Sequence, residues 1–555
     1  FTNDWYPTLK RANVELIHGD APRVTSNGLV DREGRERPAD VIIWGTGFKP
    51  LDFVAPMKIF GLEGRELSEI WGDRPEAYLG TTVSGSAAGV EAFLGLPFAE
   101  PPLDDLRWEP PIPWVPSEQV VDATQFAPAC MQSGSGLAWY HGMMQRVGVD
   151  PSLMSGPEYS EDCLYLNVWT DLDNPEPKPV LVFIHGGSNT GGWSYEPNYR
   201  GGPLAQRGAV VVTVGYRLGV FGWLSHPDMS VQNAGLHDLI AALNWIHTHI
   251  GAFGGDPTRI TVSGESAGAD NALHLALAPA LKGRVSGVIH QSAGWSATSS
   301  LSREAGFELG RALVEEHAGV DGRFEDLKAV PAEALIASQL SLFKNHYFSP
   351  VRDSETLPIP LETVVEQGRM PPLNLLIGSN GNESLMYIPD GAVIEDYLQL
   401  AFPEATWDEV RDAVGRQYSE LEQMDRLRSA LQYTCPSLIL ASAVNEAGGD
   451  AWIYRFNRVR EGFDAIGAYH GAELPYVFDT HDAWIPTNEI DRTLTGQLVA
   501  HWMSFLATGS PNKQGSDAWP RWGAAQEGLL VTDRLSGARH SEAALCARLV
   551  SLRQR

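Results

Sequence analysis

The segment Gly264-Glu265-Ser266-Ala267-Gly268 limits what this chain can fold into more than any other stretch. It follows the apolar run Ile260-Thr261-Val262-Ser263 and precedes a helix-like stretch over 269–280. A Gly-x-Ser-x-Gly pattern between a strand and a helix describes a very sharp turn, with its central residue in a strained backbone conformation. The two glycines are needed because side chains there would collide with neighbouring elements. Such a turn lifts the Ser266 hydroxyl above the strand ends, where the helix N-terminus favours negative charge. The pattern alone is common. Here the strand, the helix and an upstream His185-Gly186-Gly187 coincide.

Two more apolar runs set the fold class. Lys178-Pro179-Val180-Leu181-Val182-Phe183-Ile184 leads into His185-Gly186-Gly187, and Ala209-Val210-Val211-Val212-Thr213-Val214 follows. Runs that are apolar at every position, rather than at every second one, read as strands covered on both faces. That predicts an α/β fold, with a mainly parallel central sheet and helices on both sides. The stretch 233–250 is expected to be one such helix, with Leu239, Ala242, Leu243 and Ile246 on one face. A carbonyl attacked by Ser266 would become an oxyanion, which needs backbone N–H donors free of intervening side chains. Gly186 and Gly187 can supply two, and Ala267, directly after the serine, a third.

Further motifs follow in a recognisable order. They are Phe93-Leu94-Gly95-Leu96-Pro97-Phe98-Ala99-Glu100-Pro101-Pro102, Glu161-Asp162-Cys163-Leu164-Tyr165-Leu166-Asn167-Val168, Tyr216-Arg217-Leu218-Gly219 and Phe253-Gly254-Gly255-Asp256-Pro257. Together with the serine turn they resemble the type B carboxylesterase and cholinesterase-like family of the α/β-hydrolase fold, from about residue 86 to the C-terminus. The resemblance implies a Ser, Glu, His order of catalytic residues. The segment 373–383, ending Gly378-Ser379-Asn380-Gly381-Asn382-Glu383, resembles the family's acid turn and nominates Glu383, although Asn382 stands where an Asp is usual. Ala468-Tyr469-His470-Gly471-Ala472-Glu473-Leu474-Pro475 resembles its base loop and nominates His470.

The implied chemistry is ester hydrolysis to acid and alcohol through an acyl-enzyme on Ser266. His470 would move the proton, and Glu383 would fix the imidazole tautomer. No metal or organic cofactor is required, and the partner is a small-molecule ester. Ser188 departs from the usual Gly or Ala; it should leave the oxyanion donors in place while narrowing the acyl side or adding a polar contact. Glu265 is either a group acting on His470 through space or a buried hydrogen-bonded carboxylate. The resemblance also implies a Cys130–Cys163 disulfide, whose loop closure would stabilise the fold by roughly 3–4 kcal/mol. It implies two bracing ion pairs, Arg107 with Glu161 and Arg217 with Asp238. Cys435 and Cys546 are expected to be buried free thiols. Trp139, Tyr140, Met143, Met144, Trp193 and Trp295 read as core first and as lining of an apolar gorge second.

The first 85 residues differ from the rest. They carry three Lys and seven Arg against six Asp and seven Glu, while the whole chain has a net charge of −28. So acidic a surface repels phosphate backbones, so nucleic acid is excluded as a partner. No apolar run is long enough to span a bilayer. Asn13-Val14-Glu15-Leu16-Ile17 and Val41-Ile42-Ile43-Trp44 look like strands, separated by turns at Ser26-Asn27-Gly28 and Arg32-Glu33-Gly34. Residues 40–48 and 78–85 resemble pieces of flavin-containing and Baeyer–Villiger monooxygenases. A flavin enzyme needs a glycine-rich turn after its first strand to seat a pyrophosphate, and none occurs. Residues 1–85 are therefore expected to be a small β-rich, non-catalytic appendage, and 86–555 the catalytic domain.

The chain opens Phe1-Thr2-Asn3-Asp4-Trp5, so either a leader has been removed or a fragment is in hand. The compartment stays open: a Cys130–Cys163 bond favours an oxidising one, the missing leader the reverse. Three functions stand at this point: a serine carboxylesterase, a non-catalytic cholinesterase-like binding module, and a flavin monooxygenase. The same triad would also serve amide or carbamate hydrolysis.

Overall fold

Val180 to Ile184 are all buried, yet they divide between two separate cores. Val180, Val182 and Ile184 pack into one apolar cluster, and Leu181 and Phe183 into the other. This is the period-two alternation of a strand with both faces covered, and it recurs along 451–456, where Ala451 and Ile453 face one core and Trp452, Tyr454 and Phe456 the other. The protein is described from a computed structural model, over residues 23–25, 28–30, 36–38, 90–115, 121–174, 176–294, 296, 302–344, 347–353, 355–481, 485–513 and 518–554. The chain divides into two compact units, Phe1–Ala77 and Tyr78–Arg555.

In the first unit three short strands, β1 (Arg23–Thr25), β2 (Gly28–Val30) and β3 (Glu36–Pro38), form an antiparallel sheet. The two strands expected at 13–17 and 41–44, and the stretches 40–48 and 78–85 expected to resemble a monooxygenase, lie outside the described residues.

The second unit is built on a ten-stranded sheet. Its strands are β4 (Glu91–Pro97), β7 (Tyr165–Thr170), β8 (Lys178–Ile184), β9 (Val210–Val214), β10 (Gly255–Glu265), β11 (Gly287–Gln291), β12 (Asn374–Asn380), β13 (Asp450–Phe456), β14 (Glu527–Val531) and β15 (Leu535–Arg539). The two remaining strands, β5 (Ala129–Cys130) and β6 (Tyr159–Ser160), pair with each other. The sheet order is β15-β14-β13-β12-β11-β10-β8-β9-β7-β4. It is parallel from β14 through to β9, and β15, β7 and β4 add antiparallel edges. Parallel strands share one carboxyl edge, so loops far apart in sequence open onto the same side of the sheet.

Helices cover the two faces. The Ala234–His249 helix places Leu236, Leu239, Ala242, Leu243 and Ile246 in the first core, at the 3–4-residue spacing of one helical face. The Glu489–Thr508 helix places Leu494, Leu498, Trp502 and Phe505 in the second. Among the described residues no helix is long and apolar enough to cross a membrane. Both expected ion pairs form. Arg217 Nε and Nη2 donate to Asp238 at 2.8 and 2.7 Å, both side chains almost fully buried. Arg107 Nε donates to Glu161 at 2.7 Å, while its Nη1 reaches the carbonyls of Leu327, Lys328 and Val330. A guanidinium holding three carbonyls and a carboxylate ties a distant loop to the sheet edge.

The cysteines bring one correction. Cys130–Cys163 is bonded, as the family resemblance implies, but Cys435 and Cys546 are not free thiols: they form a second disulfide, with Cα atoms 5.2 Å apart. The 111 residues between them left no local signal. The bond is made by packing of the C-terminal helix Ala543–Arg553 on the start of the Cys435–Glu446 helix, where Arg426 also meets Glu542 at 3.1 Å. Closing a loop of this size is worth about 4–5 kcal/mol in the chain-entropy model, more than the shorter Cys130–Cys163 loop. The Cys435→Ala/Cys546→Ala double variant is expected to lose about 2–5 kcal/mol of stability, seen as a lower urea midpoint. An unchanged midpoint would show that the bond constrains nothing.

Candidate active site

Strand β10 ends at Glu265, and the next residue turns the chain back into the Ala267–Leu277 helix. Ser266 takes φ 56° and ψ −132°, a conformation L-residues avoid, at a cost of about 1–3 kcal/mol. Its N–H donates to the Gln291 carbonyl at 2.9 Å, which pins the turn to the next strand. A Cβ on Gly264 would collide with the Gly268 carbonyl, and one on Gly268 with the Ile184 carbonyl. The glycine spacing inferred from sequence therefore has its steric reason in the backbone itself.

Gly186 and Gly187 leave the end of β8, the neighbour of β10. A Cβ on Gly186 would stand 2.9 Å from Ser266 Cβ and 2.7 Å from the Glu265 carbonyl, so only glycine lets this loop lie against the Ser266 turn. Gly187 has φ 98°, and Ser188 and Asn189 follow with φ 57° and 56°. Asn189 anchors this strained loop: it accepts from Asn271 of the serine helix at 2.8 Å and donates to the Phe348 carbonyl at 2.8 Å. Ser188 is exposed and lines the cavity described below. Ala267 is the first residue of its helix, so its N–H is not spent on an intrahelical bond.

The carboxyl ends of β12 and β13 bring in the other two nominated residues. Glu383 is fully buried; one carboxylate oxygen accepts from the Asn380 N–H at 2.5 Å, and the other lies 2.7 Å from His470 Nδ1. Asn382, the departure from the family pattern, braces these two loops. It donates to Asp425 at 2.9 Å, accepts from the Ala468 N–H at 3.1 Å, and its own N–H donates to the Ala468 carbonyl at 2.9 Å.

His470 Nε2 stands 3.1 Å from Glu265 Oε1, without the alignment of a hydrogen bond. The structure forms no hydrogen bond between Nε2 and Ser266 Oγ; both residues line the same cavity. Burial pushes the imidazole pKa down, but the carboxylates of Glu265, Glu383 and Glu473 outweigh it and hold it above its usual value. Glu265 is itself pushed up, first by burial and then by Glu473 and Glu383, against the pull of His470. Glu473 is raised by burial and by Glu383, and its oxygens accept from Gln291 at 3.0 Å and Asn380 at 2.5 Å. Buried carboxyl groups this close cannot all ionise together.

The shared cavity has a volume of about 940 Å³. Of the aromatic candidates, Trp139 and Tyr140 line it, whereas Met143 and Met144 are core and Trp193 is buried against Tyr140. Trp295 lies outside the described residues. The rest of the lining had no sequence expectation. It is made by Tyr387, four residues beyond Glu383, by Leu400 and Leu427, and by Leu431 and Tyr433 from one turn of π-helix, Ala430–Thr434. Tyr433 and Tyr387 place their rings 5.0 and 6.0 Å from that of His470, and Trp139 Nε1 donates to Tyr387 OH at 2.8 Å. A π-turn often marks a functional site, but it carries no motif by which a sequence could announce it.

A family model described as Carboxylesterase family matches residues 78–544, which takes in 78–85. The para-nitrobenzyl esterase of Bacillus subtilis (strain 168) is 32% identical over 468 residues, 80% of this chain and 91% of that protein. Carboxylesterase 1E of Mus musculus is 30% identical over 535 residues, 85% of this chain and 92% of that one. A solved PNB esterase superposes with a TM-score of 0.71 at 29% identity, over 84% of this chain and 99% of its own. A sheet of the α/β-hydrolase type and a serine turn in its required context agree with these matches: the chain belongs to the carboxylesterase family, and it is a carboxylic ester hydrolase of small-molecule esters.

Proposed function

We propose that hydrolysis runs on Ser266 as nucleophile, His470 as general base and acid, and Glu383 as the acid that orients it. The N–H groups of Gly186, Gly187 and Ala267 receive the oxyanion. Residues 86–555 carry this chemistry, and 1–85 take no part in it. The observation that carries the reading is the 2.7 Å contact of Glu383 with His470 Nδ1, which leaves Nε2 directed to the cavity that Ser266 lines.

In acylation, Nε2 takes the Ser266 proton as Oγ bonds to the ester carbonyl carbon, and the carbonyl π pair moves onto its oxygen. When that intermediate collapses, the C–O bond to the alcohol breaks and His470 returns the proton to the leaving oxygen. Water then repeats the sequence and releases the acid. His470 is a cation while it holds the proton, and Glu383 and Glu265 flank it on its two nitrogens. Catalytic hydrogen bonds are often loose without substrate and tighten in its complex, so Nε2 is expected to turn from Glu265 toward Oγ when an ester binds.

A fluorophosphonate ester tests this directly. The expected result is one adduct per chain, placed on Ser266 by peptide mass spectrometry, with labelling at least about 100-fold slower in His470→Ala. An adduct on any other serine would sink the assignment.

A further inference from the structure

The cavity wall holds two arginines that the proposed mechanism does not use, Arg428 and Arg553. Arg428 closes the Glu420–Ser429 helix, and Arg553 ends the Ala543–Arg553 helix. Other arginines of this helical layer are engaged. Arg426 is paired with Glu542, Arg411 with Glu395, Arg416 with Asp408 and Arg548 with Glu409. Among the described residues Arg428 and Arg553 have no carboxylate partner. Arg428 is held only loosely: Nη1 lies 3.5 Å from the Tyr387 carbonyl and 3.4 Å from Tyr397 OH, at the outer limit of hydrogen bonding, and its Cζ sits 4.9 Å from the Tyr397 ring centre. In a chain with a net charge of −28, an unpaired guanidinium on a cavity wall stands out.

Its position relative to the chemistry is defined. Tyr387, whose carbonyl Arg428 approaches, has its ring 6.0 Å from that of His470, so one residue separates the guanidinium from the proposed base. The carboxyl groups on the wall do not oppose an anion strongly. Glu196 accepts from Tyr140 OH at 2.7 Å and from the Trp193 N–H at 3.1 Å, and Glu265 lies against His470. Burial pushes both toward their neutral forms. Leu400, Leu427 and Leu431 line the same cavity as the arginines and the serine and offer apolar surface to a spacer.

We infer that this site selects esters bearing a free carboxylate remote from the scissile bond, and that Arg428 is the specificity-determining residue that receives it. The guanidinium fork matches a carboxylate with two parallel N–H bonds, and Arg553 adds positive charge at the rim. The inference rests on Ser266 in this cavity being the nucleophile.

Two pairs of esters test it, each differing only in a terminal carboxylate. On the acyl side they are 4-nitrophenyl octanoate and mono-4-nitrophenyl suberate. On the alcohol side they are octyl acetate and 8-acetoxyoctanoate, followed by acid release. The readout is the ratio of kcat/KM for the anionic ester over its neutral partner. In at least one pair Arg428→Gln is expected to lower that ratio by about tenfold or more, and Arg428→Lys to restore part of it. The wild-type ratio should fall as salt is raised. Ratios unchanged in both pairs, with Ser266-dependent hydrolysis of the neutral esters intact, overturn the arginine assignment alone. Hydrolysis of these esters that persists undiminished in Ser266→Ala brings down the nucleophile reading, and this inference with it.

Discussion

Ser266→Ala is expected to lower kcat for 4-nitrophenyl acetate by about 10⁴–10⁶-fold, the range for removing the nucleophile from a triad that acts as a unit. Three features make so large a loss credible without a collapse of the fold. Ser266 makes its backbone bond to Gln291 through N–H, which alanine keeps. Its φ of 56° strains alanine as it strains serine. Its hydroxyl lines a cavity rather than satisfying a buried partner. Thermal stability should therefore stay near wild type while activity falls by that factor, and that pairing separates a catalytic serine from a structural one. The proposed oxyanion donors are untouched by the substitution, so a residue of activity above water should persist. Equal, slow rates for the two proteins on every ester would overturn the mechanism and return the binding-module reading.

The parts of this site that could be read from sequence are those whose cause is local. Gly264 and Gly268 are demanded by carbonyls of the turn itself and of the adjoining strand end, and Gly186 by the Ser266 side chain. Their spacing survives in the sequence as a pattern. The β8 and β9 runs were legible for a similar reason, since burial on both faces leaves them apolar except for Lys178 and Thr213. Glu383 and His470 were legible only through short motifs that resemble a family. Nothing else in the chain links them, because they meet by the parallel register of β12 on β13.

The remainder depends on packing between distant segments. Cys435 meets Cys546 through two helices separated by most of a domain's length of chain, so no spacing rule could pair them. The wall of Tyr387, Leu431 and Tyr433 depends on where one turn of π-helix falls. Along the Ser135–Arg146 helix, Met143 and Met144 are fully buried core while Trp139 and Tyr140 line the cavity. Telling these roles apart needs the neighbouring surface, which a single helix does not contain.

Glu383→Gln should be the second most damaging change, lowering kcat by about 10³–10⁴-fold. Size and shape are conserved, and the glutamine oxygen can still accept from the Asn380 N–H. The amide nitrogen then faces His470 Nδ1 and must donate to it, so Nδ1 loses its proton and Nε2 carries one. An Nε2–H cannot accept from Ser266, and that wrong tautomer is the main source of the loss. The pH profile supplies a second readout. His470 is held above its usual pKa by Glu265 and Glu383 against the pull of burial. Removing the Glu383 charge takes away part of the upward push and leaves burial unchanged, so the pKa of His470 must fall. The acidic limb of kcat/KM, where the base is lost to protonation, is then expected to move to lower pH while the plateau drops. A variant with a lower plateau and an unmoved limb would mean that Glu383 holds the loop in place without acting on the imidazole. A plateau close to wild type would pass the orienting role to Glu265, the other carboxyl group in reach of His470.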